Sequence, residues 1–143
     1  MSSRLQRPVS LLIGDDDSSV RECVVELVSG RGFHIFTASS GLESLQILLR
    51  APIDLSILDV HMPDMTGIEV FERFVRGPFI AAPDSAPAPP SPRRLDAIFM
   101  SAAPTPEIRS WCWSTGACFL DKPFEPDDMR AAIDRLLAGR SDS

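Results

Sequence analysis

Residues 57–67 read ILDVHMPDMTG: an apolar run that ends on Asp59, followed by a short polar loop. The run Ile53–Leu58, opened by Pro52, reads as a buried strand. A helix from about Gly67 to Arg76 follows the loop. A strand that ends on a carboxylate and then passes through a loop into a helix is a βα unit, and the same pattern recurs outward in both directions. Toward the N-terminus, Val9–Gly14 (VSLLIG) is a first strand closed by Asp15-Asp16-Asp17. Asp17 or Ser18 caps a helix to about Ser29, with Val20, Val24, Leu27 and Val28 on one face, and Gly30 and Gly32 stop it. Phe33–Thr37 forms a second strand and Gly41–Arg50 a second helix. Toward the C-terminus, Leu95–Met100 is a fourth strand, Thr105–Ser114 a helix and Ala117–Leu120 a fifth strand. After Lys122-Pro123, Pro126 starts a last helix with Met129, Ile133, Leu136 and Leu137 inward. Five alternating βα units predict a doubly wound α/β domain around a parallel sheet.

Composition narrows the function classes. The chain has 143 residues, the size of one domain, with 44% hydrophobic and 24% charged residues, which argues for a folded globular protein. A net charge of −6 argues against direct nucleic-acid binding, which needs a basic surface. No apolar run reaches the ~20 residues of a membrane span, and no signal-peptide core opens the chain, so a cytoplasmic protein is expected. The three cysteines, Cys23, Cys112 and Cys118, are odd in number and lack CxxC spacing; they read as buried thiols. Gly77–Arg94, GPFIAAPDSAPAPPSPRR, is rich in proline and reads as an extended, solvated excursion rather than a linker between domains.

In open α/β sheets the ligand site lies beyond the carboxyl ends of the strands. Four of the five strands end on polar residues that could meet there: Asp15/Asp16, Asp59, Ser101 and Lys122. Carboxylates gathered at one point repel unless a cation joins them, and a few hard oxygen ligands completed by water suit Mg²⁺. A carboxylate beside a divalent ion and a lysine is a plausible phosphoryl acceptor.

Four segments, LLIGDDDSSVREC, ILDVHMPDMTG, IFMSAA and FLDKPF, resemble in order the signatures of the receiver domains of bacterial response regulators, the chemotaxis regulators among them. The resemblance runs from about Val9 to Ala138 and implies a single receiver domain over 1–143. It also implies a flavodoxin-like (βα)5 fold with strand order 2-1-3-4-5. By that resemblance Asp59 takes the phosphoryl group and Asp16 ligates Mg²⁺ directly. Asp15 assists through water, and the backbone carbonyl of His61 is the third protein ligand. Lys122 bonds the phosphoryl group, and Pro123 occupies a place often preceded by a cis peptide. Ser101 is the switch hydroxyl, Ala102 the small residue that keeps the site open, and Phe119 the switch aromatic. The implied function is a signalling switch rather than a turnover enzyme. A histidine kinase or histidine phosphotransfer protein is the donor, and a downstream protein docks on the face of the fourth helix, fifth strand and fifth helix.

Gly14 departs from the family pattern, where a branched residue is usual, and is expected to loosen the first strand. The turn from Gly116 to Phe119 is shorter than the pattern. The proline-rich stretch is an insertion of roughly a dozen residues against usual loop lengths. The His61 side chain is expected at the rim, with only its backbone ligating; His34 is structural. On the fourth helix Ile108, Trp111, Cys112 and Thr115 form the apolar stripe. Trp113 lies off it, one turn after Arg109, either as an interface anchor or as filler beside the short turn. Two other functions compete. Asp15-x-Asp17-x-Ser19 also resembles the first motif of haloacid-dehalogenase-type phosphatases, with Asp15 as nucleophile, but that reading leaves ILDVHMPDMTG unexplained. A pseudo-receiver that docks without taking phosphate is the other. Nothing follows Ser143, which fits either a stand-alone receiver or a piece of a longer protein.

Overall fold

The computed structural model describes residues 8–77 and 94–140. Most of the proline-rich stretch expected to be an extended excursion lies outside the described residues. Five strands, β1 (Ser10–Gly14), β2 (His34–Ala38), β3 (Leu55–Asp59), β4 (Asp96–Ser101) and β5 (Cys118–Asp121), form one parallel sheet in the order β2-β1-β3-β4-β5. They alternate with α1 (Ser18–Val28), α2 (Gly41–Arg50), α3 (Gly67–Arg76), α4 (Pro106–Thr115) and α5 (Pro126–Arg140). The fold class and strand order expected from the sequence are those observed.

The central strands are apolar along their length because helices cover both of their faces. Every residue of β1 and β3 is buried, whereas the edge strands β2 and β5 are partly exposed. On one face Leu11, Ile13, Ile57 and Ile98 pack with Val24 and Val28 of α1 and Met129 and Ile133 of α5. On the other, Leu12, Leu58 and Phe99 pack with Leu45 and Leu48 of α2, Val70 of α3 and Cys112 of α4. Phe99, Phe71 and Trp111 meet edge to face with centroids 5.4–5.8 Å apart, and Trp111 Nε1 donates to Glu72 at 3.2 Å. Burying a side chain such as Phe99 contributes about 1.5–3 kcal/mol.

Local chemistry sets the helix starts. Asp17 caps α1 by accepting the Ser19 N–H, and Ser40 caps α2 through Glu43. Thr66 and Glu69 form a reciprocal capping box on α3. Thr105 accepts the Ile108 N–H with Pro106 in the first turn of α4. Gly116, at φ +79°, ends α4 in the left-handed region that glycine enters without penalty.

At Gly14 a Cβ would lie 2.5 Å from Ser44 Oγ and 2.9 Å from Leu58 Cδ2, so α2 and β3 pack close around β1 there. Two expectations are corrected. Cys23 is exposed, because it lies off the Val24–Val28 face of α1; Cys112 and Cys118 are buried as expected. Thr115, assigned to the apolar stripe of α4, is exposed at the helix end, where its hydroxyl donates to the Trp111 and Cys112 carbonyls.

Candidate functional site

Because all five strands run the same way, their carboxyl ends share one edge of the sheet. The register pairs Gly14 with Leu58, Asp59 with Met100 and Ser101 with Asp121. This alignment brings Asp15, Asp59, Ser101 and Lys122 to the same level. Two main-chain bonds tie the edge together: Asp15 N–H to the Ala38 carbonyl at 3.1 Å, and Lys122 N–H to the Ser101 carbonyl at 2.9 Å.

Lys122 is the hub. Its Nζ lies 2.8 Å from Asp15 Oδ2 and 3.1 Å from Asp59 Oδ1. The Lys122–Pro123 peptide is cis. Asp15 is fully buried, and its other carboxylate oxygen accepts the Asp17 N–H at 2.9 Å. Asp59 is buried too, at 4% exposure. Burial and then the Asp15 charge push its pKa up, against the opposing pull of Lys122 and of the His61 backbone N–H. For Lys122 burial acts downward, but its bonds to Asp15 and Asp59 outweigh it and the ammonium is held above its ordinary range. Asp16 is exposed at the mouth. Carboxylate oxygens of Asp15, Asp16 and Asp59 fall within 4.8 Å of one another. Three hard oxygen donors at that spacing, two of them buried, fit a small divalent cation.

The loop after β3 is fitted closely around Asp59. A Cβ on Gly67 would stand 2.5 Å from the Asp59 carbonyl oxygen, so only glycine lets α3 begin there. Asp64 takes the N–H groups of Gly41 at 3.0 Å and Leu42 at 2.8 Å, tying the loop to the N-terminus of α2. These bonds, that of Leu42 first, hold its carboxyl below the ordinary aspartate value. Ser101 is fully buried, and its Oγ accepts the Ala103 N–H at 3.0 Å and meets His61 Nε2 at 2.8 Å. The His61 side chain is thus at the rim, as expected, but it is not idle. Phe119 is half-buried in β5 beneath the Arg109 guanidinium, 5.2 Å from the ring centroid, and Arg109 pairs with Asp121 at 3.0 Å. Trp113 is 88% exposed, so it does not fill space beside the short turn.

The sequence reading missed Gly67, Asp64 and the His61–Ser101 bond. Glycine at a helix start and Asp two residues before Thr66-Gly67 are visible in the sequence, but what they touch comes from elements remote in the chain.

Residues 11–134 match the response regulator receiver domain family. The chain belongs to that family. It is a receiver domain of the response-regulator kind, a phosphorylatable signalling domain. It is 29% identical over 134 residues to the transcriptional regulatory protein CrdR of Helicobacter pylori, covering 93% of this chain and 56% of that one. It is 28% identical over 132 residues to sporulation initiation phosphotransferase F of Bacillus subtilis, covering 92% of this chain and 95% of that one. The signal receiver domain of an HD domain-containing protein from Pseudomonas fluorescens superposes with a TM-score of 0.76 at 19% identity, over 96% of this chain and all of that one. The chain spans about half the length of several curated relatives it matches, 53–56%. The family match spans ILDVHMPDMTG, the segment that the phosphatase alternative leaves unexplained.

Proposed function

We propose that Asp59 is the phosphoacceptor of this receiver, with Asp15, Asp16, Asp59 itself and the His61 carbonyl holding Mg²⁺. The observation that carries the reading is Lys122 bridging Asp59 and a second buried carboxylate at the strand edge. Asp59 is buried beside one like charge, Asp15, and one opposite charge, Lys122, which together hold its oxygen in place as the nucleophile. An Asp59 oxygen attacks the phosphorus of a phosphohistidine; the O–P bond forms as the N–P bond breaks, and the imidazole leaves. Mg²⁺, when bound, supplies charge neutralisation for the transferring oxygens. Lys122 exchanges its carboxylate contacts for a phosphoryl oxygen, and Ser101 donates its hydroxyl proton to another.

A histidine kinase or histidine phosphotransfer protein is the donor. An apolar groove lined by Val20, Cys23, Pro123 and Phe124 runs beside Lys122 and offers such a partner a footing next to the acceptor. The downstream target docks on the face of α4, β5 and α5, where Arg109, Trp113, Phe119, Arg135 and Leu136 line a shallow depression. An exposed tryptophan flanked by arginines has the composition of an interface anchor. The domain is proposed to occupy the whole of 1–143 and to work in the cytoplasm; among the described residues no helix is long and apolar enough to cross a membrane.

Acetyl phosphate with Mg²⁺ tests the chemistry. Intact-mass measurement is expected to show one added phosphoryl group, absent in Asp59→Asn; equal labelling of the variant refutes the assignment. Trp113 is expected to be quenched by a soluble quencher, and Trp113→Ala to lose target binding while Asp59 still labels.

A further inference from the structure

The phosphoacceptor reading assigns a role to the His61 carbonyl and none to its ring, yet the ring makes a specific contact. Nε2 lies 2.8 Å from Ser101 Oγ, and Ser101 is 0% exposed while the His61 ring reaches it from the rim. A serine hydroxyl has one proton and two lone pairs. The Ala103 N–H, at 3.0 Å, takes one lone pair. The hydroxyl keeps its proton and a second lone pair, and in the tautomer with Nε2 unprotonated that proton is donated to the ring.

We propose that His61 Nε2 accepts the Ser101 hydroxyl proton in the unphosphorylated chain and so anchors the switch hydroxyl. This rests on the reading of Asp59 as acceptor and Ser101 as the hydroxyl that meets the phosphoryl group. Ser101 has only one proton to give, so it must release His61 before it can donate to a phosphoryl oxygen. Buried in the end of β4, the hydroxyl leaves one acceptor only when another is on offer. A phosphoryl oxygen carries charge and is the stronger acceptor, so the exchange runs toward Asp59 once the group is there and back when it is lost. The His61 ring, being at the rim, finds water when released, which keeps the exchange reversible. His61 is therefore a positioning residue acting through Ser101. Its two parts are separable, because replacing the side chain leaves the backbone carbonyl at the metal site.

The test is a double-mutant cycle on the full chain, with beryllofluoride as phosphoryl analogue in the presence of Mg²⁺ and binding read by fluorine NMR. His61→Ala removes the anchor and is expected to tighten beryllofluoride binding by about 2- to 10-fold, the worth of one net hydrogen bond. In a Ser101→Ala background the same substitution is expected to change nothing further. Nitrogen NMR supplies a second readout. Nε2 of His61 is expected to resonate as an unprotonated acceptor in the free protein and to move toward the solvent-exposed position when beryllofluoride binds. An equal gain in the Ser101→Ala background overturns the anchor, as does an Nε2 signal that ignores beryllofluoride. A parent chain that fails to bind beryllofluoride overturns the phosphoacceptor reading itself, and the anchor with it.

Discussion

Two buried aspartates bracket β3, five residues apart, and they are buried for opposite reasons. Asp54, just before the strand, is 6% exposed; its carboxylate accepts the Ser10 N–H at 2.8 Å while its own N–H donates to the Ser10 carbonyl at 2.9 Å. That reciprocal pair staples β3 to β1 where they start. Asp59, at the other end, is 4% exposed and faces Asp15 and Lys122. Its pKa is raised, first by burial and then by Asp15, so the fold tolerates its charge rather than using it. The contrast separates two kinds of buried carboxylate. One satisfies the backbone and serves the fold; the other stands between a like and an opposite charge and is the proposed phosphoacceptor.

The largest effect expected from this contrast is a reversal of phenotype. Asp59→Asn abolishes labelling by acetyl phosphate but leaves the thermal midpoint at neutral pH no lower than the parent's. The sign follows from the raised pKa. A protonated Asp59 contributes stability below its unfolded pKa, and this is lost as pH rises through the higher folded value; Asn imitates the protonated form at every pH. Asp54→Ala does the opposite, labelling normally when folded while unfolding more easily by about 1–3 kcal/mol, the cost of a buried N–H left unpaired. Urea titrations of both variants, paired with intact-mass labelling, decide it. A destabilised Asp59→Asn chain or an unlabelled Asp54→Ala chain breaks the comparison.

A smaller effect sharpens it within the site. Asp16 is exposed and Asp15 buried, yet both sit within reach of one cation with Asp59. Asp16→Asn is expected to weaken Mg²⁺ binding by removing a ligand charge with little change in stability. Lys122→Ala is expected to leave Mg²⁺ affinity intact or tighten it, since a positive charge leaves the neighbourhood. Calorimetric Mg²⁺ titration of the two variants checks the opposed directions.

The same contrast explains what could be read from the residues alone. Asp59, Asp15 and Lys122 were legible because each follows an apolar run, and parallel strands carry their ends to a common edge. The helices were legible from their stripes, as with Val24 and Val28 or Met129 and Ile133. Asp54 was not, because nothing in its neighbours announces the Ser10 N–H, which lies 44 positions away. The His61–Ser101 bond spans 40 positions and depends on the rotamers of both side chains. Cys23 was misread because one position around a helix separates a core face from solvent. Periodicity reports which face is buried, whereas polar contacts between distant elements leave no period.

Asp64 is the intermediate case: an exposed aspartate that serves the backbone as Asp54 does, yet sits in the loop that encloses Asp59. Its two oxygens take the first N–H groups of α2, which the helix itself cannot satisfy. Asp64→Ala is expected to lower stability at neutral pH by about 0.5–1 kcal/mol, the usual worth of a helix-capping side chain reduced for exposure. The pH dependence carries the sharper test. The folded pKa is depressed, with the Leu42 N–H the largest cause, so the contribution is complete above the unfolded aspartate value of 3.8. It fades as pH falls through the folded one. Chemical denaturation of parent and variant from neutral pH down through that window is expected to show a constant gap that closes only at the acid end. A gap that stays open there makes the contact one of packing, and a gap absent at neutral pH leaves the loop held by Gly67 and the α3 capping box alone.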